Sequence, residues 1–108
     1  MVIIVEKESF MSTIPIQKTL SKEELYTLIQ NYQKNHDQKS KEMIILSNTK
    51  LVLSLMKRFY QKSNHYEDLF QVGIVGLIKA VDHFDTNYQL QFSTYAVPLI
   101  IGEMKRYL

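Results

Sequence analysis

Apolar positions along this chain recur at helical spacing in five stretches. Ser21 with Glu24 three residues on is a capping-box pattern, predicting a helix from there through about Lys34. Leu25, Leu28, Ile29 and Tyr32 supply its apolar stripe. Residues 35–37 break the pattern, and a second helix is expected over about 38–46. In a third, about 48–61, Leu51, Val52, Leu55, Met56 and Phe59 fall on one side, with Lys50 and Lys57 opposite. Ser63, Asn64 and His65 read as a turn, leading into a fourth helix over about 66–83. Residues 85–91 form a polar loop with Asn87 at a turn-friendly position. Ser93 is then expected to cap a fifth helix running to the end, with Pro98 near its first turn. Residues 1–20 have no sustained period and contain Pro15, which predicts a flexible leader. The expected fold class is all-α, a compact bundle of about five short helices.

The fourth helix has two apolar sides. Phe70, Gly73, Ile74, Leu77, Val81 and Phe84 line one face and should join the core, whereas Val72, Val75 and Ile78 point the other way among Asp68, Gln71, Lys79 and Asp82. An apolar strip inside a polar rim has the layout of a protein-binding surface. The alternative is that one of the N-terminal helices covers it, which residues 1–47 could supply; the pattern leaves both open. Gly73 and Gly76 would let a neighbouring helix approach closely there.

Composition narrows the class. A chain of 108 residues, 45% hydrophobic with three Gly and two Pro, is one small domain at most, with little turn chemistry for an all-β fold. The absence of cysteine removes disulfides and thiolate metal sites and fits a reducing cytoplasm. The short apolar run at residues 1–5 is not a signal peptide, and no stretch is long enough to span a membrane. The net charge of +2 does not announce nucleic-acid binding. Its distribution is uneven: residues 1–66 hold ten Lys/Arg and six Asp/Glu, residues 67–108 three and five. Any nucleic-acid contact must therefore be local. His36, His65 and His83 are scattered at spacings that make no metal site, and no nucleophile–base pattern appears. The chain does not read as an enzyme, and no cofactor is expected.

Phe84, Tyr88, Phe92, Ser93, Thr94 and Tyr95 cluster around one loop and the start of the last helix. Bases exposed by duplex opening are held by stacking on aromatic rings and by hydrogen bonds from small polar side chains. Core packing is the alternative for each ring. It weighs more for Phe84 and Phe92 than for Tyr95, whose polar end is often placed at a surface.

Two runs, DLFQVGIVGL from Asp68 and FSTYA from Phe92, with GEMKRYL at the end, resemble the second conserved region of bacterial sigma factors. The resemblance runs without a gap from Asn48 to Leu108, a little over half the sequence. It implies a region-two helical domain over 21–108, with region-one-like helices at 21–47 and the core region at 48–108. It further implies that the fourth helix docks on the β′ clamp helices of RNA polymerase through Asp68 and Gln71, with Val72, Val75 and Ile78 in the same face. Tyr95 would stack on a base flipped from the upstream end of the minus-ten element, in the single-stranded non-template strand, with Ser93 and Thr94 lining its path. Asn48 would help hold a second flipped base. Lys50 stands where the family usually has Arg, keeping charge but losing the bidentate fork. Phe84, Tyr88, Gln91, Lys105 and Arg106 complete the candidate DNA-binding set.

Two departures matter. Val72 and Ile74 replace polar residues of the housekeeping members, and Pro98 and Leu99 stand where those members carry paired tryptophans that wedge the bubble's upstream edge. The run AVPLIIGEMKRYL is closer to the alternative sigma factors of sporulation and general stress (F, G and B types), which anti-sigma proteins commonly restrain. After Leu108 the family pattern would continue into readers of duplex promoter DNA. The expected function is a sigma factor, or its N-terminal fragment, that binds core polymerase and recognises and melts the minus-ten element. A sigma-like module that binds polymerase or an anti-sigma protein without reading promoters is the alternative.

Overall fold

The computed structural model describes residues 19–59, 65–87 and 90–108. Five α-helices occupy them: α1 (Lys22–Asn35), α2 (Gln38–Ser47), α3 (Thr49–Met56), α4 (Tyr66–His83) and α5 (Phe92–Tyr107). A 3-10 turn, Lys57–Phe59, follows α3. No strand occurs among the described residues. The fold class is all-α, as the periodicity predicts. Most of the proposed leader, residues 1–18, lies outside the described residues, as do Ser63 and Asn64 of the expected turn.

The capping box forms as expected. Ser21 Oγ accepts from the Glu24 amide at 3.1 Å, and Glu24 Oε1 accepts from the Ser21 amide at 2.8 Å. The break after α1 is made by His36, which ends the helix in the left-handed region at φ 52°. Asp37 then caps α2 by accepting from the amides of Lys39 and Ser40. The Ser40 hydroxyl, with those amides, holds the Asp37 carboxyl below its ordinary range.

Three boundaries differ from the expectation. The third helix gives up α geometry at Lys57, tightening into the 3-10 turn that buries Phe59. Ser93 does not cap α5: the helix starts at Phe92, and the cap position falls two residues earlier, at Gln91, which makes no side-chain cap bond. Burial decides this, because Phe92 is only 2% exposed and its amide donates to the Tyr26 hydroxyl of α1 at 3.2 Å. A tertiary partner thus does the work of a local cap. Pro98 is the seventh residue of α5, in its second turn, not the first. It is exposed, so the Thr94 carbonyl that residue 98 cannot bond faces the solvent side of the helix.

One hydrophobic core draws on every helix, including Ile29 and Tyr32, Ile44, Val52 and Met56, Leu69 and Leu77, and Ala96, Ile100 and Met104. Ile74, expected in the core, is half-buried at its edge, while Tyr66, Leu69 and Ala80 are buried instead. α4 and α5 run antiparallel and form the closest pairing. A Cβ on Gly76 would lie 2.7 Å from Ile100 Cα and from the Leu99 carbonyl oxygen, so the helices meet backbone to backbone. That contact fixes the outer face of α4 and the first turn of α5 on one hairpin.

Candidate protein-binding and nucleic-acid interface

On α4, Asp68, Gln71, Val75, Lys79 and Asp82 are exposed at spacings of three and four residues, forming one stripe. Val75 is the apolar centre at 46% exposure, and Val72 and Ile78 are half-buried shoulders on either side. α1 reaches α4 at its C-terminal end, where Gln33 Nε2 donates to the carbonyls of Val81 and Phe84, each at 2.7 Å. Among the described residues, therefore, the N-terminal helices leave Val75 open.

Polar groups at the rim are held from α5. The Tyr107 hydroxyl approaches Asp68 Oδ2 at 3.4 Å; burial, and then the Asp68 charge, push its ionisation above the ordinary tyrosine range. Lys79 Nζ meets Glu103 Oε2 at 2.6 Å, and Arg106 pairs with the same oxygen. The Lys79 hydrogen bond, with the Arg106 charge, holds the Glu103 carboxyl below its ordinary range. Arg106 pairs with Glu103 from one turn along the same helix while its side chain stays 69% exposed. Lys105 shares an exposed stripe of α5 with Thr94 and Pro98.

The aromatic cluster divides into support and surface. Phe84, a candidate for DNA contact, is 2% exposed and belongs to the core; its ring cannot stack on a base without leaving it. It is ringed edge-on by Tyr26 at 5.3 Å and Phe92 at 5.2 Å, and Tyr95 leans on it at 5.5 Å with a 48° tilt. Tyr95 itself is half-buried, so one part of its ring is backed and the rest is open. A ring backed by packed neighbours loses little freedom when a base stacks on its open side. Gln91, Ser93 and Thr94 are exposed around it. Tyr88 lies outside the described residues.

Asn48 sits apart from this cluster, between α2 and α3. Its amide nitrogen donates to the Ile44 carbonyl at 2.9 Å and to Ser47 Oγ at 3.2 Å, so its donors already bond within the chain and the side-chain carbonyl is the group left to offer. Lys50, Lys57 and Arg58 are exposed on the following turns. Tyr26, Gln30 and Gln33 are contact residues that pattern reading missed. The apolar stripe of α1 marks its core face, and nothing local says that the flank beside it will hold a loop some 50 residues away.

The Sigma-70 region 2 family model matches residues 44–108. The chain is 43% identical over 97 residues to the RNA polymerase sigma-G factor of Bacillus subtilis (strain 168), covering 90% of this chain and 36% of that protein. It is 47% identical over 89 residues to the RNA polymerase sigma-F factor of Bacillus licheniformis, covering 82% and 34%. A putative RNA polymerase sigma-G factor of Bacillus thuringiensis subsp. kurstaki is 44% identical over 89 residues, covering 82% of this chain and 70% of that one. The chain spans about a third of the length of the first two relatives. The helical hairpin, the open α4 strip and the backed Tyr95 are thus those of a chain that belongs to the Sigma-70 region 2 family.

Proposed function

We propose that this chain acts in transcription initiation as a sigma factor or its region-two part, binding core RNA polymerase and holding the opened minus-ten element. The observation that carries the reading is the α4–α5 hairpin, which joins an open apolar strip at Val75 to a half-exposed ring, Tyr95, seated on buried Phe84. The strip, rimmed by Asp68, Gln71 and Lys79, suits the β′ clamp helices. Tyr95 suits a flipped base of the non-template strand, with Ser93, Thr94 and Gln91 as polar neighbours and Lys105 as a phosphate contact. Asn48 would accept from a second base through its side-chain carbonyl, near Lys50. The role is binding, not catalysis, and its setting is the cytoplasm, where polymerase works. An anti-sigma protein that restrains the chain would compete for the same α4 strip.

The test is an anisotropy titration of a labelled single-stranded non-template minus-ten oligonucleotide against the chain with core polymerase. Tyr95→Ala should cost about 1–3 kcal/mol of affinity together with base preference, whereas Tyr95→Phe keeps most of the stacking. Val75→Glu should weaken capture by polymerase while leaving helicity unchanged. Normal oligonucleotide affinity in folded Tyr95→Ala removes the DNA role, and normal polymerase capture by Val75→Glu removes the docking face.

A further inference from the structure

Three side chains on one stripe of α1 reach the connection between α4 and α5. Gln33 Nε2 donates to the Val81 and Phe84 carbonyls, which lie at the end of α4 where helix carbonyls lack intrahelical partners. Gln30 Nε2 donates to Thr86 Oγ1 at 2.8 Å in the loop that follows. The Tyr26 hydroxyl accepts from the Phe92 amide, the first of α5, which likewise has no intrahelical acceptor. Gln91, at the cap position, supplies no side-chain bond, so Tyr26 provides the acceptor that a local Ser or Asp ordinarily would. The Tyr26 ring also backs Phe84, the ring on which Tyr95 leans. All three side chains precede the matched span, which begins at residue 44.

We propose that Tyr26 is a positioning residue for Tyr95, closing the first turn of α5 through its hydroxyl and seating Phe84 through its ring. Tyr95 is the fourth residue of α5, so the course of that turn sets where its ring points. Terminal turns are the parts of helices that open most readily, and an acceptor supplied from another helix suppresses this opening. Loss of the hydroxyl frees the turn; loss of the ring as well loosens Phe84 beneath Tyr95. The effect on DNA rests on the reading of Tyr95 as a base-stacking ring, whereas the effect on the turn does not.

The experiment compares Tyr26→Phe, which keeps the ring, with Tyr26→Leu, which keeps neither ring nor hydroxyl. Amide hydrogen exchange of Phe92 is read in the free chain. Relative affinity for single-stranded oligonucleotides carrying each of the four bases at the flipped position is read on the chain with core polymerase. Tyr26→Phe should speed Phe92 exchange by about five- to tenfold, the size of one neutral hydrogen bond, and leave the Leu77 amide unchanged. Base preference should shrink in Tyr26→Phe and more so in Tyr26→Leu, while polymerase affinity, which depends on the distant Val75 strip, stays constant. Unchanged Phe92 exchange in both variants overturns the proposal, as does unchanged base preference when Tyr95→Ala abolishes it. If the parent chain and Tyr95→Ala show the same lack of preference, the DNA reading fails, and the Phe92 exchange rate decides the role of Tyr26 alone.

Discussion

Adding one methyl group at Gly76 should unseat the hairpin on which both candidate surfaces rest. The new Cβ would sit 2.7 Å from Ile100 Cα, 2.7 Å from the Leu99 carbonyl oxygen and 3.0 Å from the Ile100 nitrogen. Comfortable carbon contacts lie near 3.5–4.0 Å, so α5 must retreat by roughly 0.7–1 Å, and a gap of that size forfeits a quarter to a half of each dispersion contact it opens. The neighbours are backbone atoms and cannot rotate aside. Ala96, Ile100 and Met104, all fully buried, would be pulled from the core together. Overpacking of this kind costs about 3 kcal/mol or more, against which alanine returns about 1 kcal/mol of helix propensity. The net loss is about 2–3 kcal/mol, a fall in Tm of roughly 10–20 °C for a domain of this size. Gly102 is the control, because a Cβ there meets nothing within 4 Å, and Gly102→Ala should gain about 0.5–1 kcal/mol. Gly73→Ala falls between, since the Met104 Cε and Val52 Cγ1 atoms it meets at 2.6 and 2.8 Å belong to side chains that can partly adjust. Thermal and urea unfolding followed by circular dichroism would rank the three. Equal stability of Gly76→Ala and Gly102→Ala would refute the backbone contact.

Two further perturbations probe the local devices. His36 holds a left-handed conformation that strains a residue with a Cβ, so His36→Gly should raise stability by up to about 1 kcal/mol, reduced by loss of the Tyr32 ring contact at 5.4 Å. His36→Val should lower it instead, and equal unfolding midpoints for the two would contradict the assignment. Glu103 has a folded pKa below its ordinary 4.5, so its contribution is present above that value and lost as pH falls through the lowered one. Glu103→Gln should therefore flatten the loss of stability through the acidic carboxylate range; an identical acid profile would show that the Lys79 and Arg106 contacts carry nothing.

Much of this protein was legible in its sequence because helices report themselves locally. The Ser21–Glu24 capping box and the span of α4 follow from residues three and four apart, which the chain brings together as soon as it coils. The strip at Val72, Val75 and Ile78 was visible for the same reason, as apolar residues out of phase with a core face. Whether that strip was covered or open was not, because covering depends on where α1 docks, and α1 docks on the end of α4. Tertiary structure also separated the aromatic set, burying Phe84 beneath Tyr95, though both rings fit the same pattern. It moved the cap position of α5 from Ser93 to Gln91, because burial of the Phe92 ring and the Tyr26 hydroxyl outweigh a local serine cap. Sequence determined which helices form and which of their faces are apolar. Only packing decided which faces meet, since that depends on contacts between residues some 50 or 60 positions apart, for which spacing along the chain carries no signal.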